Sequence, residues 1–111
     1  MIYIIRDRTT KEQLDEMLQM LSTYIKLAVD IDRNILAGGG ELHADCESVL
    51  LEDGSEQQNI WGADWYPDLQ EVTYQSFINI RPSQNNRSME IQDLEIQAKV
   101  EKIARKLLGD I

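Results

Sequence analysis

The single histidine and the single cysteine of this chain stand three residues apart, as His43 and Cys46, directly after the triplet Gly38-Gly39-Gly40. Residues i and i+3 share a helix face, so the spacing allows a thiol with an imidazole as its base. The flanking acids Asp45 and Glu47 oppose a thiolate, and a lone buried cysteine commonly behaves as a small hydrophobe. His43 and Glu47, four apart, have metal-ligand spacing, with Glu41, Asp30 or Asp32 as further donors. One histidine with scattered carboxylates does not define a metal site, and none is assigned. Glycines running into a helix N-terminus are also the geometry that holds phosphate. Here Glu41, Asp45 and Glu47 occupy the first turns, and no lysine supplies the counter-charge of a phosphate loop. The triplet reads as a turn and cap.

A second stretch, Asn79-Ile80-Arg81-Pro82-Ser83-Gln84-Asn85-Asn86-Arg87-Ser88-Met89, is dense in amide, hydroxyl and guanidinium groups. Arg81 and Arg87 could grip a carboxylate or phosphate with paired hydrogen bonds. The alternative is structural: Arg81 pairs with Asp30 or Asp32, and Asn85 and Asn86 form turns. If a ligand cleft exists, Asp30, Asp32, Glu41 and His43 form one wall, and Asn79, Arg81 and Arg87 the other. The ligand expected there is a small anion.

The elements that must position these groups follow from periodicity. Ile2 to Ile5 reads as a short strand. Thr10 and Gln13 have capping-box spacing and open a helix with the stripe Leu14, Met17, Leu18, Leu21. Ile25 to Asp32 alternates apolar and polar residues as a strand with one wet face. A turn at Asp32-Arg33-Asn34 leads into a return strand, Ile35 to Ala37. Glu41 to Asp53 suits an acidic helix closed by Gly54. Ile60 to Trp65 reads as a strand broken at Gly62, and Val72 to Arg81 as a longer strand ended by Pro82. Trp61, Trp65 and Tyr66 read as core filling, with stacking on a ligand or covering a partner surface as the alternative. Asp93 caps a last helix with the stripe Ile96, Val100, Ile103, Leu107, ended by Gly109. That helix has favourable pairs Glu95–Lys99 and Glu101–Arg105. The order β-α-β-β-α-β-β-α with short turns predicts an α+β fold: a mostly antiparallel sheet of four to five strands with three helices on one face. Its other face, bearing Asp30, Asp32, Asn79 and Arg81, is then solvated, forms a cleft or meets a second copy.

The length of 111 residues, 42% apolar and 28% charged, predicts a single domain over 1–111. No apolar run is long enough for a membrane span, and the start of the chain does not resemble a targeting segment. One cysteine allows no internal disulfide, so a reducing, cytoplasmic setting is expected. The net charge of −9 is concentrated: residues 41–76 hold nine acids and no Lys or Arg. Such a block repels nucleic acid and anionic lipid and attracts cations or basic surfaces.

The blocks Ala37-Gly38-Gly39-Gly40-Glu41-Leu42-His43-Ala44-Asp45 and Ile78 to Met89, with Val29-Asp30-Ile31-Asp32, resemble those of a small family of unknown function from cyanobacteria and other prokaryotes. The resemblance spans nearly the whole chain and implies no activity, cofactor or catalytic residue. The sequence therefore predicts a binding or interaction module, as a homo-oligomer or with a ligand. Two rivals are a small hydrolase with His43 as general base beside a carboxylate, and an acidic regulatory partner of a basic protein.

Overall fold

The computed structural model describes residues 1–111. Five strands form one antiparallel sheet: β1 (Tyr3–Ile5), β2 (Ile25–Asp30), β3 (Ile35–Gly38), β4 (Ile60–Tyr66) and β5 (Glu71–Thr73), in the spatial order β1-β3-β2-β4-β5. Three helices complete the α+β fold: α1 (Lys11–Leu18), α2 (His43–Glu52) and α3 (Leu94–Leu108). The element order is the one the periodicity predicts.

Thr10 caps α1 through the predicted box: its hydroxyl accepts from Gln13 N–H at 3.1 Å, and Gln13 Oε1 accepts from Thr10 N–H at 3.3 Å. Asp93 caps α3 by accepting from Glu95 N–H at 2.8 Å. Both helices lie on the sheet face formed by Ile25, Leu27, Val29, Leu36, Trp61, Ala63 and Trp65, and this is the main core. The two tryptophans fill it, while Tyr66 stacks on Tyr24 with ring centroids 5.2 Å apart.

The helices do not all share that face, which corrects the sequence reading. α2 packs on the opposite one, where Cys46 and Leu50 meet Ala28, Ile35, Ala37 and Ile60. The reason is a row of small residues: Ala37, Ala28 and Gly62 are direct cross-strand partners on β3, β2 and β4. Side chains this short let a helix and a loop approach the backbone. The face that alternation marks as polar is therefore covered, and Asp30 is fully buried on it.

The predicted strand from Val72 to Arg81 is also corrected. β5 ends at Thr73, and 3₁₀ turns follow at Phe77–Asn79 and Pro82–Gln84. Ser76 turns the chain by accepting from Ile78 N–H at 3.2 Å. The segment folds over Gly62, where a Cβ would overlap Ser76.

Candidate functional site

His43 is the first residue of α2, and its ring reaches back to β4. Nε2 lies 2.8 Å from Asp64 Oδ1 and 3.1 Å from the Ala63 carbonyl, and both side chains are only 12% exposed. The second Asp64 oxygen accepts from Thr73 Oγ1 at 3.4 Å. Asp64 did not figure in the sequence-based site. Its signal was there: it is the one charged residue inside the apolar strand Ile60–Tyr66, and alternation sets it on the α2 face with Gly62.

A cavity of about 200 Å³ opens at this end of α2, between Leu42-His43-Ala44, Lys26 and Ser76-Phe77-Ile78. Its rim is apolar and wet, with Leu42 54% and Phe77 77% exposed. Leu42 is the N-cap of α2 and offers no side-chain hydrogen bond to the helix.

Cys46 is fully buried one turn on, with Sγ 3.6 Å from the Lys26 carbonyl and against Gly40. Burial pushes its thiol up to about 11. A thiol so deprived of its charged form is no nucleophile at neutral pH. The glycine triplet serves packing. Gly39 has φ +102°, and a Cβ there would strike the Met1 carbonyl, so the left-handed turn excludes other residues.

The amide-rich stretch is tied to the protein's own backbone. Asn79 is fully buried; its Oδ1 accepts from Gly62 N–H at 2.8 Å, and Nδ2 donates to the carbonyls of Gly62, Met89 and Tyr74 at 3.0, 3.1 and 3.3 Å. Asn86 donates to the carbonyls of Asn79, Ser88 and Glu90 and accepts from Gln92 N–H. Arg81 donates from Nε to Ile78 O at 2.9 Å, from Nη1 to Gln57 O at 2.8 Å and from Nη2 to Ile60 O. Its guanidinium lies 4.7 Å from the Trp61 ring centroid and 3.5 Å from Glu47 Oε2 on α2. Burial lowers the Arg81 pKa, and Glu47 opposes that shift. Arg87 is exposed.

The carboxylates follow the same pattern. Asp30 Oδ1 accepts from the N–H groups of Asp32 and Arg33 at 2.9 and 3.0 Å, fixing the β2–β3 turn, while its Oδ2 is buried without a partner. Asp32 and Glu41 are exposed. Arg33 bonds Asp53 and Ser55 at 2.7 Å each, and Arg6 joins Asp53 at 2.7 Å.

The helix that begins at His43 touches the arginine stretch through Glu47 and Arg81, but the two do not line one cavity. The cavity that holds His43 contains none of Asp30, Asp32, Glu41, Asn79, Arg81 or Arg87. Nor do three His, Cys, Asp or Glu side chains gather as metal ligands. No helix is long and apolar enough to cross a membrane.

Among protein families, the chain matches residues 3–107 to a family described as a protein of unknown function, DUF5674, and it belongs to that family. Neither a curated protein nor a solved structure matches it.

Proposed function

We propose that this chain is a small interaction module, acting as one cytoplasmic domain, that docks a basic segment bearing an apolar anchor. Phe77 is the observation that carries the reading. Its ring stands 77% exposed beside Leu42 at the mouth of a 200 Å³ cavity. Single exposed apolar side chains are ordinary, but two at one pocket form the kind of patch that marks a contact site. An aromatic at a pocket rim is the usual energetic centre of such contacts.

Charge complementarity supports a basic occupant. Glu41 and Asp45, exposed on either side of His43, belong to the stretch of nine acids without a Lys or Arg. Neither acid lines the cavity, where Lys26 is the one charged side chain. The apolar anchor therefore fills the cavity while the partner's basic residues meet the acids outside it. Two copies joined symmetrically through this face would oppose acid to acid, so a basic partner is favoured over a homodimer. The same charge disfavours nucleic acid. The free, buried Cys46 suits a reducing cytoplasm.

The hydrolase reading rests on His43 held by Asp64 at 2.8 Å. It has a base and an orienting carboxylate, but Cys46 is buried, and Ser76, 2% exposed, already accepts from Ile78 N–H. The docking reading is tested by binding a labelled basic peptide to the wild-type chain and to Phe77→Ala. Binding that is lost with the ring supports it, and binding indifferent to the ring rejects it.

A further inference from the structure

On the opposite side of the sheet from α2, the outer flank of α3 and the β2–β3 turn border an open cavity of about 270 Å³. Its floor is apolar, formed by Ile31, Ile103 and Leu107, and its rim carries Asn34 and three lysines, Lys99, Lys102 and Lys106. The lysines recur at i, i+3 and i+7, which places all three on one stripe of the helix. Asn34 sits at φ 58°, a left-handed position asparagine tolerates, and its N–H donates to Asp30 O at 3.0 Å. The wall opposite the lysines is therefore a fixed turn.

These lysines are not engaged in the structural roles their positions suggest. Glu95 stands four residues before Lys99, yet no carboxylate lies within 4.0 Å of any of the three ammoniums, while Arg105 does pair with Glu101 at 3.1 Å. Nor do they cap the helix end. Arg8 donates to the carbonyls of Lys106 and Gly109, so the exposed carbonyls and negative dipole end of α3 already have a cation. Asp32, exposed in the turn, is the nearest acid in sequence to this wall and makes no ion pair with the stripe. In a chain of net charge −9, three unpaired lysines converge on one apolar hollow.

We propose that this cavity binds a small amphipathic anion: a carboxylate or phosphate monoester on a short apolar body. The apolar body rests on Ile31, Ile103 and Leu107, and the head is held by the lysines with the Asn34 amide. A concave hollow with an apolar floor favours a free small molecule over a flat anionic surface. The site is on the other face of the sheet from the docking surface, so the two stand or fall separately.

The test follows backbone amide shifts of the full chain during titration with octanoate and with n-hexyl phosphate. Hexanol, hexyltrimethylammonium and vesicles of phosphatidylglycerol serve as comparisons. Both anions should give saturable shifts confined to residues 31–34 and 99–107, weakened by salt, with little response to the alcohol or the cation. Lys102→Gln should weaken binding about fivefold, the effect of roughly 1 kcal/mol for one exposed charge contact. Lys11→Gln, equal in net charge but on α1, should leave it unchanged. Three results would overturn the proposal: equal binding of hexanol, equal effects of the two lysine substitutions, or binding to vesicles without binding of the free anions.

Discussion

The Asn79 side chain pairs with the Gly62 peptide as a strand would: its oxygen accepts the Gly62 N–H at 2.8 Å, and its nitrogen donates to the Gly62 carbonyl at 3.0 Å. β5 pairs with β4 only at Asp64–Tyr66, so the edge of β4 at Gly62 would otherwise be an open, buried peptide. One side chain closes it. Closing it also fixes the turn that sets Phe77 outward beside the cavity.

Replacing Asn79 with Ala leaves both Gly62 groups unsatisfied in the interior, with an expected loss of about 2–4 kcal/mol. In a domain of this size that lowers Tm by roughly 10 °C or more. Asn79→Asp, which keeps the shape and loses the donors, should be comparably damaging. Thermal unfolding followed by circular dichroism measures both; a Tm unchanged in either variant contradicts the pairing.

Cys46 should be unreactive in the native chain. With its thiol pushed up to about 11 by burial, the thiolate fraction at pH 8 is roughly a hundredfold below that of an ordinary cysteine. Iodoacetamide should therefore label the chain slowly in buffer and rapidly in urea. Fast labelling without denaturant would restore the thiol as a chemical group.

The Arg6 and Arg33 guanidinium groups hold the Asp53 carboxyl below its usual range. A carboxylate whose folded pKa is depressed stabilises the fold fully above its unfolded value of about 3.9 and progressively less as pH falls toward the folded one. Asp53→Asn should accordingly lower Tm at pH 7 and shrink the gap from wild type below about pH 4. Melting curves across pH 2 to 7 check this; a constant gap would assign the effect to packing.

Local signals in the sequence carried much of the fold. The Thr10–Gln13 box, the Asp93 cap and the α3 stripe state their conformation within a few residues. The site was less legible because its determinants lie across strands. The alternation of Lys26, Ala28 and Asp30 reads as a wet face until Ala37 and Gly62 line up with Ala28 and admit α2. Val72 to Arg81 alternates like a strand, yet Asn79 replaces backbone pairing with its side chain. His43 was visible as a singular residue, whereas its partner Asp64 depends on register. Arg81 and Asn79 were visible as polar groups, but that their hydrogen bonds run to backbone carbonyls and N–H groups is a tertiary fact.

The docking claim is tested most directly by fluorescence anisotropy with a labelled decapeptide of lysine and serine around a central Leu-Phe pair. Wild type should bind it saturably and less tightly as salt rises, since the attraction is partly between exposed charges. Phe77→Ala should weaken it about tenfold, near 1.4 kcal/mol, without altering Tm by more than a degree or two, because the ring is 77% exposed. The same peptide with glutamate for lysine should not bind. Equal affinity of wild type and Phe77→Ala, or of the acidic and basic peptides, would contradict the account, as would a concentration-dependent dimer sealed through Phe77.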